Sequence, residues 1–344
     1  MRLFLFATIF SIGLSVLAAP TKRASVCNGR AELCNRGYGN VTFLSSHDSF
    51  AISEDIFALA RTQELDLPGQ LDLGVRMLQA QSHMSVSIKT HPALDTLTSY
   101  TGMAMISSFA IRVSLRAYTS IDTTHVIYCL AGCSLFDGGL VVDYLKTVKT
   151  WLDNNPNEVL TFLFTNPEGL SLTDVWKPAF DEADITDLAY VPPTKPMKRG
   201  DWPTLGEFIN SGKRVIVFLD YGVDDSVDFI LSEFTMASPL LWEPPFSVTD
   251  STFPCSVNRI SGPLSTVDHL NMLNHNLNIN IIPIGDGVLI PDFAAASKTN
   301  SLSSILANAY GCSGLAGGVA PNFVMLDFVN IGHGLDAVNL LNGF

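Results

Sequence analysis

The stretch Val41-Thr-Phe-Leu-Ser-Ser-His-Asp-Ser-Phe50 decides how the rest of the chain is read. It starts as a strand and ends in a polar cluster. Val41 to Ser45 is apolar enough to be buried on both faces, as strands of a parallel sheet are. A doubly wound sheet usually follows its first strand with a glycine-rich phosphate loop. Here the strand runs into Ser46-His47-Asp48-Ser49 instead. A (β/α)8 barrel collects its reactive residues at such C-terminal strand ends. The expectation is an α/β protein, a TIM (β/α)8-type barrel, regular or distorted, in a single domain.

Outward from this stretch, strand-like and helix-like runs alternate, which implies a parallel sheet. Gln63 to Gly74 has helical spacing and ends on Gly, and Val75 to Ala80 is a second strand. Val126 to Cys129 is a third. Leu140 to Asn154 is an amphipathic helix stopped by Asn155-Pro156. Glu158 to Asn166 is a strand. Thr204 to Asn210 is a short helix, with Thr204 and Glu207 spaced as a capping box. Arg214 to Asp220 is a strand, Val267 to Leu277 and Ser301 to Tyr310 are helices, and Phe323 to Val329 is the last strand. Several strands end in a polar residue: His47-Asp48, Asn166, Asp220 and Asp327. The segment at about 84–124 fits no barrel element and is expected to be an insertion or a gene-model error.

The chain has 344 residues, 47% hydrophobic and 15% charged, so it is neither disordered nor fibrous. Its net charge of −13 repels phosphate backbones and excludes nucleic acid as a partner. The closest thing to a basic patch, Lys195, Lys198 and Arg199, is expected to be a solvated loop. Arg2, the apolar run Leu3 to Leu17 and Ala18-Ala19 have the form of a secretory signal peptide over 1–19, too short in its apolar run for a transmembrane span. Residues 20–26, with the dibasic Lys22-Arg23, are expected to be processed or flexible, leaving 27–344 as the domain. Six cysteines in a secreted chain suggest disulfides rather than zinc. Their spacing suggests Cys27–Cys34, Cys129–Cys133 and Cys255–Cys312. Asn40-Val41-Thr42 is a glycosylation sequon.

His47 at the end of the first strand suits a general base near neutral pH. With Leu67-Pro-Gly-Gln-Leu-Asp-Leu-Gly-Val-Arg-Met-Leu78, the Asn155-Pro156-x-Glu158 unit, Leu205 to Asp220 and Pro321 to Asn330, the first-strand motif resembles the phosphatidylinositol-specific phospholipase C X-domain superfamily, in particular its secreted fungal PLC-like phosphodiesterases. The resemblance implies a base histidine, a carboxylate that orients it, an acid histidine, and an Arg or Ca²⁺ at the phosphate. Carried over, His47 is the base, Asp48 the neighbouring acid and Asp327 the orienting carboxylate. Arg76, Gln79, Gln81 and His83 would contact substrate, although Arg76 also suits an ion pair at the barrel bottom.

Three positions depart from that pattern. Gln79 and Gln81 stand where bacterial members carry Asp and Arg, and an amide cannot neutralise charge or ligate Ca²⁺ as a carboxylate does. Leu130 stands where relatives carry the acid histidine, with His83 and His125 as the available substitutes. Asn274-His275 resembles the Asn-His of the fungal group, with a helix surface pair near the rim as the preferred alternative, and His269, His91 and His333 are expected to be surface residues. The implied activity is metal-independent hydrolysis of a small-molecule or lipid phosphodiester by a secreted, extracellular monomer whose membrane contact is at most transient. No cofactor is expected, with Ca²⁺ the alternative. A headgroup-binding protein without turnover is the runner-up, and a glycoside hydrolase on the same barrel a third class. Transcript sequencing across codons 80–135 tests the segment at 84–124: an uninterrupted message sinks the gene-model error.

Overall fold

The computed structural model describes residues 23–55, 58–84, 126–130, 136–234, 241–282 and 287–344. Eight parallel strands form the frame: β1 (Phe43–Ser46), β2 (Val75–Met84), β3 (Leu160–Thr165), β4 (Val215–Leu219), β5 (Ile230–Ser232), β6 (Leu241–Trp242), β7 (Leu270–Asn274) and β8 (Phe323–Leu326). Their spatial order is β5-β4-β3-β2-β1-β8-β7-β6. The two edge strands share no ladder, but the Leu241 N–H donates to the Glu233 carbonyl at 3.4 Å. This is the strand order of a TIM-type barrel, as expected.

Side-chain alternation divides the apolar residues into two sets. Leu44, Leu78, Phe162, Phe164, Val217, Leu219, Val324 and Leu326 pack outward against the helices. Phe43, Met77, Leu163, Phe218, Leu231, Leu241, Met272, Phe323 and Met325 fill the interior. Each strand is buried on both faces, which explains its continuous apolar sequence.

The helices start and stop where their sequence chemistry dictates. Asp66 caps α1 (Leu67–Leu73) by accepting from the Gly69 N–H, and Gly74 ends it at φ 115°, a conformation that favours glycine. The helix therefore begins later than Gln63, which is buried and serves the site instead. The helix α2 (Val141–Asn154) buries Tyr144, Leu145, Val148 and Leu152, as its periodicity predicts. The Thr204–Glu207 capping box forms at the start of α3 (Leu205–Ser211). Ser301 caps α4 (Leu302–Ser313). Of the expected disulfides, Cys27–Cys34 and Cys255–Cys312 are formed. The third, Cys129–Cys133, lies partly outside the described residues, as does the segment at 84–124. Among the described residues no helix is long and apolar enough to cross a membrane.

Several expectations are corrected. Val126–Leu130 is a strand but not a barrel strand: it runs antiparallel to the outer end of β2, with Ser82 opposite Tyr128. Residues 267–277 form β7 rather than a helix, because all five residues of Leu270–Asn274 are buried between β6 and β8. Its polar members, Asn271 and Asn274, are paired inside, which blurs the apolar pattern. His269 is buried, not a surface residue, with its ring nitrogens 2.8 and 3.3 Å from the Ser265 and Ser261 carbonyls. His275 is also buried, held by Asn308 and the Thr299 carbonyl. His333 is exposed beside Asp336, and His91 lies outside the described residues.

Arg199 is no solvated residue either. It plugs the bottom of the barrel, donating to the carbonyls of Gly39 and Ala320 and to Asn271. Three accepted hydrogen bonds offset the cost of burying the guanidinium. Gly39 admits this contact because it has no Cβ; one built there would sit 1.9 Å from the Arg199 carbonyl oxygen. Gly39→Ala is therefore expected to destabilise the fold by about 1–3 kcal/mol or more, as overpacking does. Urea unfolding checks this, and an unchanged midpoint would contradict the plug.

Candidate active site

The interior apolar layer ends in polar residues two positions further along nearly every strand. Phe218 leads to Asp220, Leu231 to Glu233, Leu241 to Glu243, Met272 to Asn274, Met325 to Asp327, and Met77 to Gln79 and Gln81. Because a strand repeats every two residues, all these side chains face the barrel axis at the C-terminal end. All of them but Asp327, together with His47, His83 and Arg259, line one cavity of about 290 Å³, floored by Leu163, Met272 and Met325.

His47 sits at the centre of this end. Its Nδ1 lies 2.8 Å from Asp327 Oδ1, and its Nε2 lies 3.5 Å from Asp48 Oδ2. Its carbonyl accepts from Gln63 Nε2 at 2.9 Å, which also donates to the Leu326 carbonyl; Gln63 Oε1 takes the Val329 N–H. Gln63 thus clamps the end of β1 to that of β8. Asp48 has φ 38°, in the left-handed region that Asp tolerates better than most residues. The strain is held by the Gln79 Oε1 that accepts the Asp48 N–H at 2.7 Å and by the Thr62 hydroxyl that donates to its carbonyl at 2.8 Å.

The charges of this group depend on one another. Burial alone would depress the His47 pKa, but the charges of Asp48, Asp327 and Glu243 outweigh it and raise the pKa to about 9. Burial, with a smaller contribution from Asp327, raises Asp48 to about 6 against the pull of His47. Burial likewise raises Asp327. Between those two values Asp48 is a carboxylate and His47 an imidazolium.

A second histidine that lines the same cavity, His83, is also paired with a carboxylate. Gln79, Gln81 and His83 alternate along β2, so they share its inner face. His83 Nδ1 lies 2.6 Å from Glu168 Oε1. Among the described residues its Nε2 has no hydrogen bond. Opposite these, Glu243 holds Arg259 in an ion pair and accepts from Asn274 Nδ2 at 2.9 Å. Arg259 also lies over the rings of Phe234 and Phe246, 4.5 and 4.7 Å from their centroids. Burial and the neighbouring Glu243 charge push Glu233 well above the usual carboxylate range. Among the described residues its Oε1 has no hydrogen-bond partner.

The structure thus brings His47, Asp48, Asp327, Gln79, Gln81 and His83 together, and leaves Arg76 out. Arg76 is at the opposite end of β2, paired with Glu158 at 2.8 Å and bonded to the Leu71 and Val75 carbonyls. There it locks the barrel bottom, a correction to its expected place at the substrate. Gln81 donates its amide nitrogen to Asp48 at 3.3 Å, so that group serves Asp48. At the β2 positions Gln79 and Gln81 supply amides rather than carboxylates. Among the described residues no group of three or more His, Cys, Asp or Glu is arranged to hold a metal. The Leu130 side chain and His125 lie outside the described residues. Sequence reasoning missed Glu233, Glu243, Arg259, Glu168 and Gln63. Asn40 is exposed, as a sequon requires.

Comparison with known proteins agrees with this geometry. The model of the family described as PI-PLC X 1 matches residues 33–93 and 105–342. The chain belongs to the PI-PLC X family. A PI-PLC X domain-containing protein 1 of Arthroderma benhamiae is 34% identical over 336 residues, covering 96% of this chain and 93% of that protein. A second protein of that organism, named only as an uncharacterized secreted protein, is 33% identical over 318 residues; the match covers 89% of this chain and 61% of that one. The solved phosphatidylinositol-specific phospholipase C of Listeria monocytogenes superposes with a TM-score of 0.51 at 12% identity, over 90% of this chain and 95% of that one. That likeness extends to the fold. Family and fold support a phospholipase C-like phosphodiesterase, and the two disulfides are consistent with an extracellular place.

The electrostatics of the His47 group give a direct test. Asp48→Asn removes one of the charges that favour the imidazolium, so the His47 titration moves from about 9 to lower pH. Imidazole NMR of the two proteins measures this. An unshifted titration would mean that Asp48 does not act on His47.

Proposed function

We propose that this protein is a secreted phosphoric diester hydrolase that cleaves inositol-lipid-like substrates with two histidine–carboxylate pairs. The observation that carries the reading is that His47, paired with Asp327, and His83, paired with Glu168, both line a single cavity at the C-terminal strand ends. His47 is the base and Asp327 sets its orientation. His83, oriented by Glu168, takes the acid role that Leu130 cannot perform.

The neutral His47 imidazole removes the proton of the hydroxyl next to the phosphate. The oxygen–phosphorus bond forms, and the bond from phosphorus to the lipid alcohol breaks. The electron pair of that bond goes to the departing oxygen, which takes a proton from His83. A cyclic phosphodiester and a free alcohol result. Water then opens the ring with the two histidines in reversed roles. Arg259 is the cationic side chain in the cavity lining available to the phosphate, besides the histidines. Because His47 is held near 9, its base form grows as pH rises through neutrality, and kcat/KM rises with it.

The test is an assay of the purified protein on two substrates, phosphatidylinositol and an inositol phosphodiester with a nitrophenolate leaving group. His47→Ala is expected to lower both rates by about 10²–10⁴-fold. His83→Asn is expected to lower the first by a similar factor and the second far less, because nitrophenolate departs without a proton. Equal losses on both substrates would remove His83 from the acid role. Wild-type rates no higher than those of His47→Ala would favour a headgroup-binding protein.

A further inference from the structure

Between β6 and β7 the chain makes an excursion at the barrel mouth, residues 244–258. Its two ends meet at one neck. There the Glu243 N–H donates to the Arg259 carbonyl at 3.1 Å, and the Arg259 and Asn258 N–H groups donate to the Glu243 carbonyl at 3.2 and 3.0 Å. A loop of this length with joined ends is an Ω-loop. Its Phe246 lines both cavities that contain His47, the one of about 290 Å³ and a second of about 200 Å³. Its Pro244 carbonyl takes Asn274 Nδ2 at 3.0 Å, the same amide nitrogen that serves Glu243. The loop is therefore a wall of the site.

That wall has little of its own to hold it. Of residues 244–258, Pro244 and Phe253 are buried and the rest are exposed or half-buried. A cleft of about 190 Å³ separates the loop from the barrel, with Pro245, Val248 and Pro254 on one side and Asn274 and Asn308 on the other. A segment with so few buried apolar contacts opens locally at low cost unless it is tied down.

The ties sit at the far end of the loop. Phe253 stacks on the His275 ring, with 4.0 Å between centroids, and its carbonyl accepts from Asn308 Nδ2 at 3.1 Å. His275 lies between Asn274 and Asn276, whose side chains line the two cavities, so the stack bears on the strand end that carries them. Phe253 has φ 47°, a conformation costly for a bulky residue, which persists only where its neighbours impose it. Two residues on, Cys255 is bridged to Cys312 of α4, 57 residues away in sequence. Cys255 is the only cysteine in the loop, so this bridge is its one covalent tie. Nearer the neck, the Val248 carbonyl accepts the Asn278 N–H at 2.7 Å.

We propose that Cys255 and Phe253 are positioning residues: the bridge to Cys312 and the stack on His275 hold residues 244–258 as the shared wall of the two His47 cavities, so that the grip on substrate depends on a disulfide outside the site. Substrate grip here rests on the phosphodiesterase reading; the wall itself rests on the loop contacts alone. Released, the loop would carry Phe246 away from both cavities and from the Arg259 guanidinium, 4.7 Å from its ring. Neither Cys255 nor Phe253 lines either cavity, and the pairs His47–Asp327 and His83–Glu168 do not involve the loop. Loosening it therefore acts on binding rather than on proton transfer.

The test compares the wild type with Cys255→Ser/Cys312→Ser, with Phe253→Leu, and with Cys27→Ser/Cys34→Ser, which removes the bridge at the barrel bottom. The soluble inositol phosphodiester with a nitrophenolate leaving group reads KM and kcat, and hydrogen exchange reads the loop. The first two variants are expected to raise KM about tenfold with kcat within about threefold. They are also expected to speed exchange over 244–258 but not over β1 or β3. The bottom variant is expected to keep KM within about twofold and the exchange of the loop unchanged. Phe253→Leu leaves both bridges in place and carries the test if the Cys255→Ser/Cys312→Ser protein does not fold. An unchanged KM in either folded loop variant, a fall in kcat alone, or an equal rise of KM in the bottom variant would overturn the proposal. If the wild type hydrolyses nothing, exchange still decides: acceleration confined to the loop retains the wall and refutes the hydrolase reading alone, whereas unchanged exchange overturns the wall as well.

Discussion

The structure depends on one constraint: an ionisable pair, His47 and Asp48, has been placed at the buried end of a hydrophobic strand. A buried charge or unpaired backbone group is costly unless its bonds are satisfied. Four glutamines meet that requirement. Gln63 secures the His47 carbonyl, Gln79 the Asp48 N–H, Gln81 the Asp48 carboxylate, and Gln70 the Ser49 carbonyl. Each comes from a different stretch or register, so the polar network also ties β1 to β2, β8 and α1. An amide is suited to this work because it donates and accepts without adding charge to a group already rich in carboxylates. The glutamines on β2 therefore have a structural reason, apart from any contact with substrate.

The frame was largely legible in the sequence because both-face burial writes itself as continuous apolar runs. β1, β2, β3, β4 and β8 follow from that signal, and the cap Thr204 follows from its spacing to Glu207. The failures have a common cause. At β7 and at Arg199, polar side chains are buried and bonded to partners far along the chain. Local pattern reading takes such residues for surface. His269 and His275 are misjudged for the same reason: their acceptors, such as the Ser261 and Thr299 carbonyls, become neighbours through the fold alone.

The site was legible in part, through the local cluster His47-Asp48 and the strand-end Asp327. Glu233, Glu243 and Glu168 were not, since each follows a short strand or lies in a loop and has no motif around it. A weak signal did exist. Taking the inward apolar residue of each strand and stepping two positions on reaches Asp220, Glu233, Glu243, Asn274 and Asp327. The step requires knowing which face of each strand is inward, and with strands as short as Leu241–Trp242 the sequence does not say.

The buried plug of Arg199 and Gly39, together with the filled interior above it, has a consequence for traffic. Among the described residues Arg199 and Gly39 close the bottom, which leaves the mouth as the way to the cavity. On the proposed mechanism, a bulky alcohol released there would stand in the path of the water that follows it, so departure and hydrolysis would be consecutive events at a single doorway.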